Sequence, residues 1–94
     1  MELRYHRDAD TDEPHIYDHN VTEDEVADVL RRPIEEFRGR RRSMIAHGQT
    51  SAGRYLKVIY VPDRDGDGIF VVTAYDLSPR QLHALRRRMK RKKR

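Results

Sequence analysis

Three kinds of side chain in this sequence are equipped for chemistry on a polyanion: clustered guanidiniums, five imidazoles and tyrosines set among apolar residues. The cations come as Arg38, Arg40, Arg41 and Arg42, then Arg54 and Lys57, then Arg80 and Arg86 to Arg88. Arginine presents a planar fork of donors that matches a phosphate. Residues two apart on a strand share a face, so Arg40 and Arg42 are expected to point together. If the strands starting near Arg42 and Arg54 are neighbours, three or four cations converge on one sheet face or rim. Tyr55, Tyr60 and Tyr75 lie nearby and could stack on unpaired bases, as RNA recognition requires. They could equally be strand residues with buried rings, which suits Tyr60 and Tyr75 at least as well.

The histidines are His6, His15, His19, His47 and His83. None stands at a tight ligand spacing such as HxH or HExxH, so no metal site is expected. His47 is expected to end a strand beside a glycine-flanked loop, between the cationic stretches. An imidazole there can act as general acid or base, and the competing reading is a surface histidine. His15 and His19, four apart, read as structural polar groups. Asp63, Asp65, Asp67 and Gly68 match the opening of an EF-hand loop, but its twelfth position is Ala74 rather than a bidentate carboxylate. An exposed hairpin tip is the better account.

The charges that carry this chemistry are unevenly distributed. Residues 1–36 hold 12 acidic and 4 basic side chains, a net of −8, and residues 37–94 hold 4 acidic and 16 basic, a net of +12. Eight of the last nine residues are cationic. That pattern points to a polyanion partner, against the plainer reading in which the two halves neutralise each other. With 94 residues and 36% apolar composition, the chain has room for one thin core and no deep organic-cofactor pocket. The absence of cysteine excludes disulfides, thiol nucleophiles and Cys-ligated zinc. No apolar run approaches a membrane span of roughly 20 residues, and the N-terminus lacks a signal-peptide core. A cytoplasmic protein without cofactor or membrane association is expected.

The elements that must position these residues read as an α+β layer fold in a single domain, 1–94. Residues 1–14 form an acidic segment: Leu3 and Tyr5 allow a short strand, followed by a loop from Asp8 to Pro14. Thr22 and Glu25 are spaced as a capping box, Val21 can staple onto Val26, and Pro33 stops the helix after Arg32. Segments 34–38, 42–47, 55–61 and 69–75 are expected strands, about four in all. Their short connections favour an antiparallel meander, with loops near Gly39 and over 48–53. Ser78-Pro79 opens a basic C-terminal helix whose Leu82, Leu85 and Met89 dock on the sheet. The tail 89–94 is expected to fray.

The ordered set His19-Asn-Val-Thr-Glu-Asp-Glu-Val26, an Arg-rich strand, His47-Gly-Gln-Thr50, Gly53-Arg-Tyr-Leu-Lys-Val58 and Val72-Thr-Ala-Tyr75 resembles the BrnT-like toxins of bacterial type II toxin–antitoxin systems. The likeness spans about residues 15–88 and rests on order and spacing together. It implies a RelE-like fold and metal-independent cleavage of RNA, with a small DNA-binding antitoxin protein as partner. It places Arg42, Arg54 and Lys57 on the family's basic positions and Arg80 at the basic start of its last helix. Two departures stand out: Tyr75 follows Ala74 where typical members carry Arg, and Asn20 replaces a glycine.

Two functions compete. In one, Arg54 and Lys57 hold phosphate at a catalytic site, His47 or Tyr75 moves protons, and Arg40, Arg42, Arg80, Arg86 and Arg87 bind RNA. In the other, the same basic face grips RNA or a protein and cleaves nothing. A third, structural possibility has the acidic segment covering the basic surface of its own or a neighbouring copy, which leaves homo-oligomers open. Arg54 and Lys57, three apart, face opposite sides of a flat strand, so they share a phosphate only if Arg54 lies in the loop after Gly53 or a bulge or the sheet edge intervenes. If about five phosphates of single-stranded RNA are contacted, log affinity should fall with log salt at a slope near −3.5. Truncation before Lys90 should flatten that slope, and salt-independent binding would eliminate a polyanion partner.

Overall fold

The computed structural model describes residues 2–64, 66 and 68–92. Strands β1 (Leu3–Tyr5), β2 (Glu35–Arg38), β3 (Met44–Gln49), β4 (Tyr55–Pro62) and β5 (Ile69–Asp76) form one sheet in the order β1-β5-β4-β3-β2. A 3-10 turn (His15–His19) and helix α1 (Glu23–Arg31) precede β2, and helix α2 (Pro79–Lys92) closes the chain. The α+β class is as expected, but the sheet has five strands and is mixed. β2 to β5 form the antiparallel meander, whereas β1 adds in parallel to the outer edge of β5, pairing Leu3 with Ile69 and Tyr5 with Val71. A three-residue strand with two apolar positions is too short to declare its partner.

α1 begins at the expected cap. The Glu25 amide donates to Thr22 Oγ1 at 3.2 Å, and the Thr22 amide donates to Glu25 Oε1 at 2.9 Å. Val21 and Val26 are both buried, as a staple across the cap requires. Val26 and Val29 press α1 onto Ala46, Leu56, Val58, Tyr60, Val71 and Ala74, which face it from β3, β4 and β5. The helix comes so close to β3 that a Cβ on Gly48 would sit 2.8 Å from Val29 Cγ1. Gly48 is therefore a strand residue under a helix, not the start of a loop, and β3 runs two residues further than the expected 42–47. The turn proper spans 50–53, where Gly53 adopts φ +98°.

The opposite sheet face receives α2. Its first turn carries a second reciprocal cap, with Ser78 N donating to Gln81 Oε1 (3.0 Å) and Gln81 N to Ser78 Oγ (3.1 Å). Leu85 is fully buried, Arg86 lies 5.5 Å over the Tyr55 ring, and Arg88 forks onto Glu35 of β2. The helix continues to Lys92, three residues past the point where the loss of apolar side chains predicts fraying; Lys93 and Arg94 lie outside the described residues. So do Asp65 and Asp67 of the EF-hand-like run, while Asp63 pairs with Arg4 of β1. No helix among the described residues is long and apolar enough to cross a membrane.

Replacing Thr22 by Ala should lower unfolding stability by about 1 kcal/mol, the usual loss when an N-cap oxygen is removed. Urea denaturation reads this directly, and a change within error would mean that the reciprocal cap adds nothing to the fold.

Candidate functional site

Strand register decides which candidate residues meet. Glu35 pairs with His47, His47 with Lys57, and Lys57 with Tyr75, so the four form one row across β2, β3, β4 and β5 on the α2 side. Arg54 belongs to the other side. It precedes β4, and its guanidinium turns to Glu25 on the α1 side. Arg54 does lie in the loop after Gly53, as expected, but that position does not bring its guanidinium to Lys57.

Arg54 is also fully engaged. Nε and Nη2 fork onto Asp76 at 2.7 and 3.1 Å. Nη1 donates to the Asn20 carbonyl at 2.7 Å and to Glu25 at 3.1 Å, and Nη2 donates to the His19 carbonyl at 3.2 Å. A guanidinium has five N–H donors, and acceptors from β5, α1 and the end of the 3-10 turn surround them all. The Asp76 carboxylate raises the Arg54 pKa further, and Arg54 in turn lowers that of Asp76. Arg54 ties three elements together and has no donor left for a phosphate. The αL conformation of Asn20 (φ 58°) turns the chain so that its carbonyl and that of His19 both reach the guanidinium; asparagine tolerates this geometry in place of glycine.

His47 is buried within β3, neither at a strand end nor on the surface. Its side chain is 6% exposed, Nδ1 lies 2.8 Å from Glu35 Oε1, and its ring meets Phe37 edge-on at 5.3 Å. Glu35 is shared with Arg88, whose Nη2 approaches to 2.6 Å. Arg88, and to a lesser degree His47, hold the Glu35 carboxyl at about 2. A carboxyl lowered on folding stabilises the native state above its unfolded value of roughly 4.3, and that contribution is lost as pH falls through about 2. His47 shares Glu35 with Arg88 of α2 and is withdrawn from solvent.

Lys57, on the central strand, and Tyr75, on β5, are half-exposed. Lys57 Nζ stands 5.9 Å from the centre of the Tyr75 ring, and the His19 ring packs against that same tyrosine at 5.6 Å. The 3-10 turn brings His19 to the edge of β5 left free beyond β1. His15 follows at 5.2 Å from His19, with Nδ1 2.8 Å from Asp8 and 3.4 Å from Asp18. A hydrogen bond between the two carboxyls lowers the pKa of Asp8 and raises that of Asp18. The ligand-capable atoms of Asp8, His15 and Asp18 lie within 4.8 Å of one another, a proximity that spacing along the chain conceals. His19 is the site neighbour that sequence reasoning misses. Its spacing to His15 and its place before a helix suggest structure, and only the fold sets it beside Tyr75.

The binding candidates fall into two groups. Arg40 and Arg42 lie in the turn between β2 and β3, not on a strand, with Arg41 between them at φ 58°. With Ile59, Val61 and Val72 this turn lines an open cavity of about 570 Å³ on the α2 side of the sheet. Arg80, Arg86 and Arg87 are exposed along α2. The acidic α1 packs on the other side, so this copy's own helix does not cover the Arg40–Arg42 turn. Among the described cations of residues 37–94, Arg54 and Arg88 pair with carboxylates of the acidic half, Glu25 and Glu35. Comparisons with protein-family models, curated sequences and solved structures yield no match to this chain.

Arg54→Ala strands two carboxylates and two carbonyls, and should cost about 2–3 kcal/mol, the range for hydrogen bonds to charged groups. Arg54→Lys should recover only part, because a lysine cannot fork. Equal stability of all three proteins in urea would deny the network any net contribution.

Proposed function

We propose that the chain is a metal-independent ribonuclease toxin of a type II toxin–antitoxin pair, acting on RNA at the Lys57–Tyr75 edge. The observation that carries this reading is that pairing of β4 with β5, and the 3-10 turn beyond, put the half-exposed Lys57 ammonium and Tyr75 phenol beside the exposed His19 imidazole. Cleavage of RNA by its own 2′-hydroxyl loads negative charge onto phosphoryl oxygens. A fixed ammonium such as Lys57 can stabilise that charge, with Arg40, Arg42, Arg80, Arg86 and Arg87 collecting the flanking phosphates. Basic side chains gathered on one side of the sheet suit this role, and a helix before the meander with a basic helix after it suits a RelE-like fold of the BrnT-like kind. The expected partner is then a small DNA-binding antitoxin.

A second reading is a binding module that grips RNA without cleaving it. The complete engagement of Arg54 and the burial of His47 favour it, since both are withdrawn from phosphate. Lys57→Ala distinguishes the two. In the enzyme, cleavage should fall about 10²-fold, corresponding to about 2.7 kcal/mol of transition-state stabilisation, while RNA affinity falls only a few-fold. In the binder, wild type releases no fragments and the substitution merely weakens association. Growth arrest on expression of wild type, relieved by Lys57→Ala, would support a toxin. Intact free RNA and intact ribosome-bound message after incubation with pure protein would exclude it.

A further inference from the structure

We infer that His19 is the general base of this edge, taking the proton from the attacking 2′-hydroxyl of the RNA. The inference rests on the ribonuclease reading and names a residue for its proton transfer. His19 is exposed, whereas His47 is sealed beneath α2 against Glu35. The His19 ring meets Tyr75 edge-on, with 61° between the ring planes, and Lys57 lies over the same tyrosine. Its main chain is fixed from behind by the Arg54 guanidinium on the carbonyls of His19 and Asn20. A base on a clamped turn keeps its aim while remaining open to substrate, which is what proton transfer in a transition state demands. Arg54 is then a positioning residue, although it touches no phosphate.

The ionisable groups around His19 come from four elements. They are His15 and Asp18 on its own turn, Asp8 behind them after β1, Tyr75 on β5, and Lys57 on β4 with Arg54 just before that strand. In the step itself, the 2′-hydroxyl proton passes to the His19 imidazole as O2′ bonds to phosphorus. The P–O5′ bond breaks, and the leaving 5′-oxygen takes a proton from the Tyr75 hydroxyl. The imidazolium then returns its proton to the Tyr75 phenolate, so the protein ends as it began. The products are a 2′,3′-cyclic phosphate and a 5′-hydroxyl.

The test measures cleavage of a single-stranded oligoribonucleotide by full-length protein, free and with translating ribosomes, from pH 5 to pH 9. Wild type should lose rate as pH falls, because a general base acts only in its unprotonated form. His19→Asn should cut the rate about 10²-fold and abolish that limb, while leaving unfolding in urea and RNA affinity near wild type. His19→Gln should behave alike, and His83→Asn, an exposed histidine on α2, should cleave as wild type does. Mass spectrometry should find a cyclic phosphate terminus. Full rate and an unchanged acid limb in folded His19→Asn would overturn the role of His19 while leaving the ribonuclease intact. A wild type that cuts nothing would remove the ribonuclease reading, and the base with it.

Discussion

The Arg54 guanidinium is the point at which the fold is tied. It is reached by Glu25, which also completes the α1 cap, so one carboxylate both starts the helix and anchors it to the sheet. Asp76 brings in the end of β5, and the carbonyls of His19 and Asn20 bring in the 3-10 turn. The junction sits beside the core: Ile16, Val21, Val26, Leu56 and Ala74, from the same segments, are all buried. In a chain with 38% charged residues, a partly exposed ion network does work that larger domains leave to their cores. Such a network persists because its geometry is nearly complete: breaking one partner costs more than the network would gain over apolar packing.

The sheet divides what the sequence places close together. Arg54 and Lys57 are three residues apart and end on opposite faces. Glu35, His47, Lys57 and Tyr75 are spread over forty-one positions and end in one row. That row contains two environments. Under α2, Glu35 and His47 are withdrawn from solvent and hold the helix down. Toward β5, Lys57 and Tyr75 stay half-exposed. The same strand geometry therefore produces a structural pair and an open pair from neighbouring register positions.

Much of the architecture was legible because it depends on local chemistry. The Thr22–Glu25 box, the Pro33 stop, the apolar runs at 55–61 and 69–75 and the Pro79 start all announce themselves within a few residues. What was not legible depends on long-range contact. Gly48 looks like a loop glycine until Val29 is placed 2.8 Å from its missing side chain. Arg40 and Arg42 have strand-like spacing, but Arg41 takes a left-handed conformation and turns the chain there. The burial of His47 and the placement of His19 beside Tyr75 are both settled by elements distant in sequence. The parallel pairing of β1 is of the same kind.

The division of charge between the two sheet faces has a consequence for motion as well as for contact. With α1 and its carboxylates on one side and the Arg40–Arg42 turn and the outer face of α2 on the other, the molecule is an electric dipole lying across its own sheet. A polyanion's field exerts a torque on such a body before any contact is made, turning the basic face forward during approach. Orientation is normally the slow part of association, and a built-in dipole shortens that search to a degree that depends on ionic strength. In an encounter with a polyanion, the acidic α1 would then take part from the far side of the molecule, by repulsion.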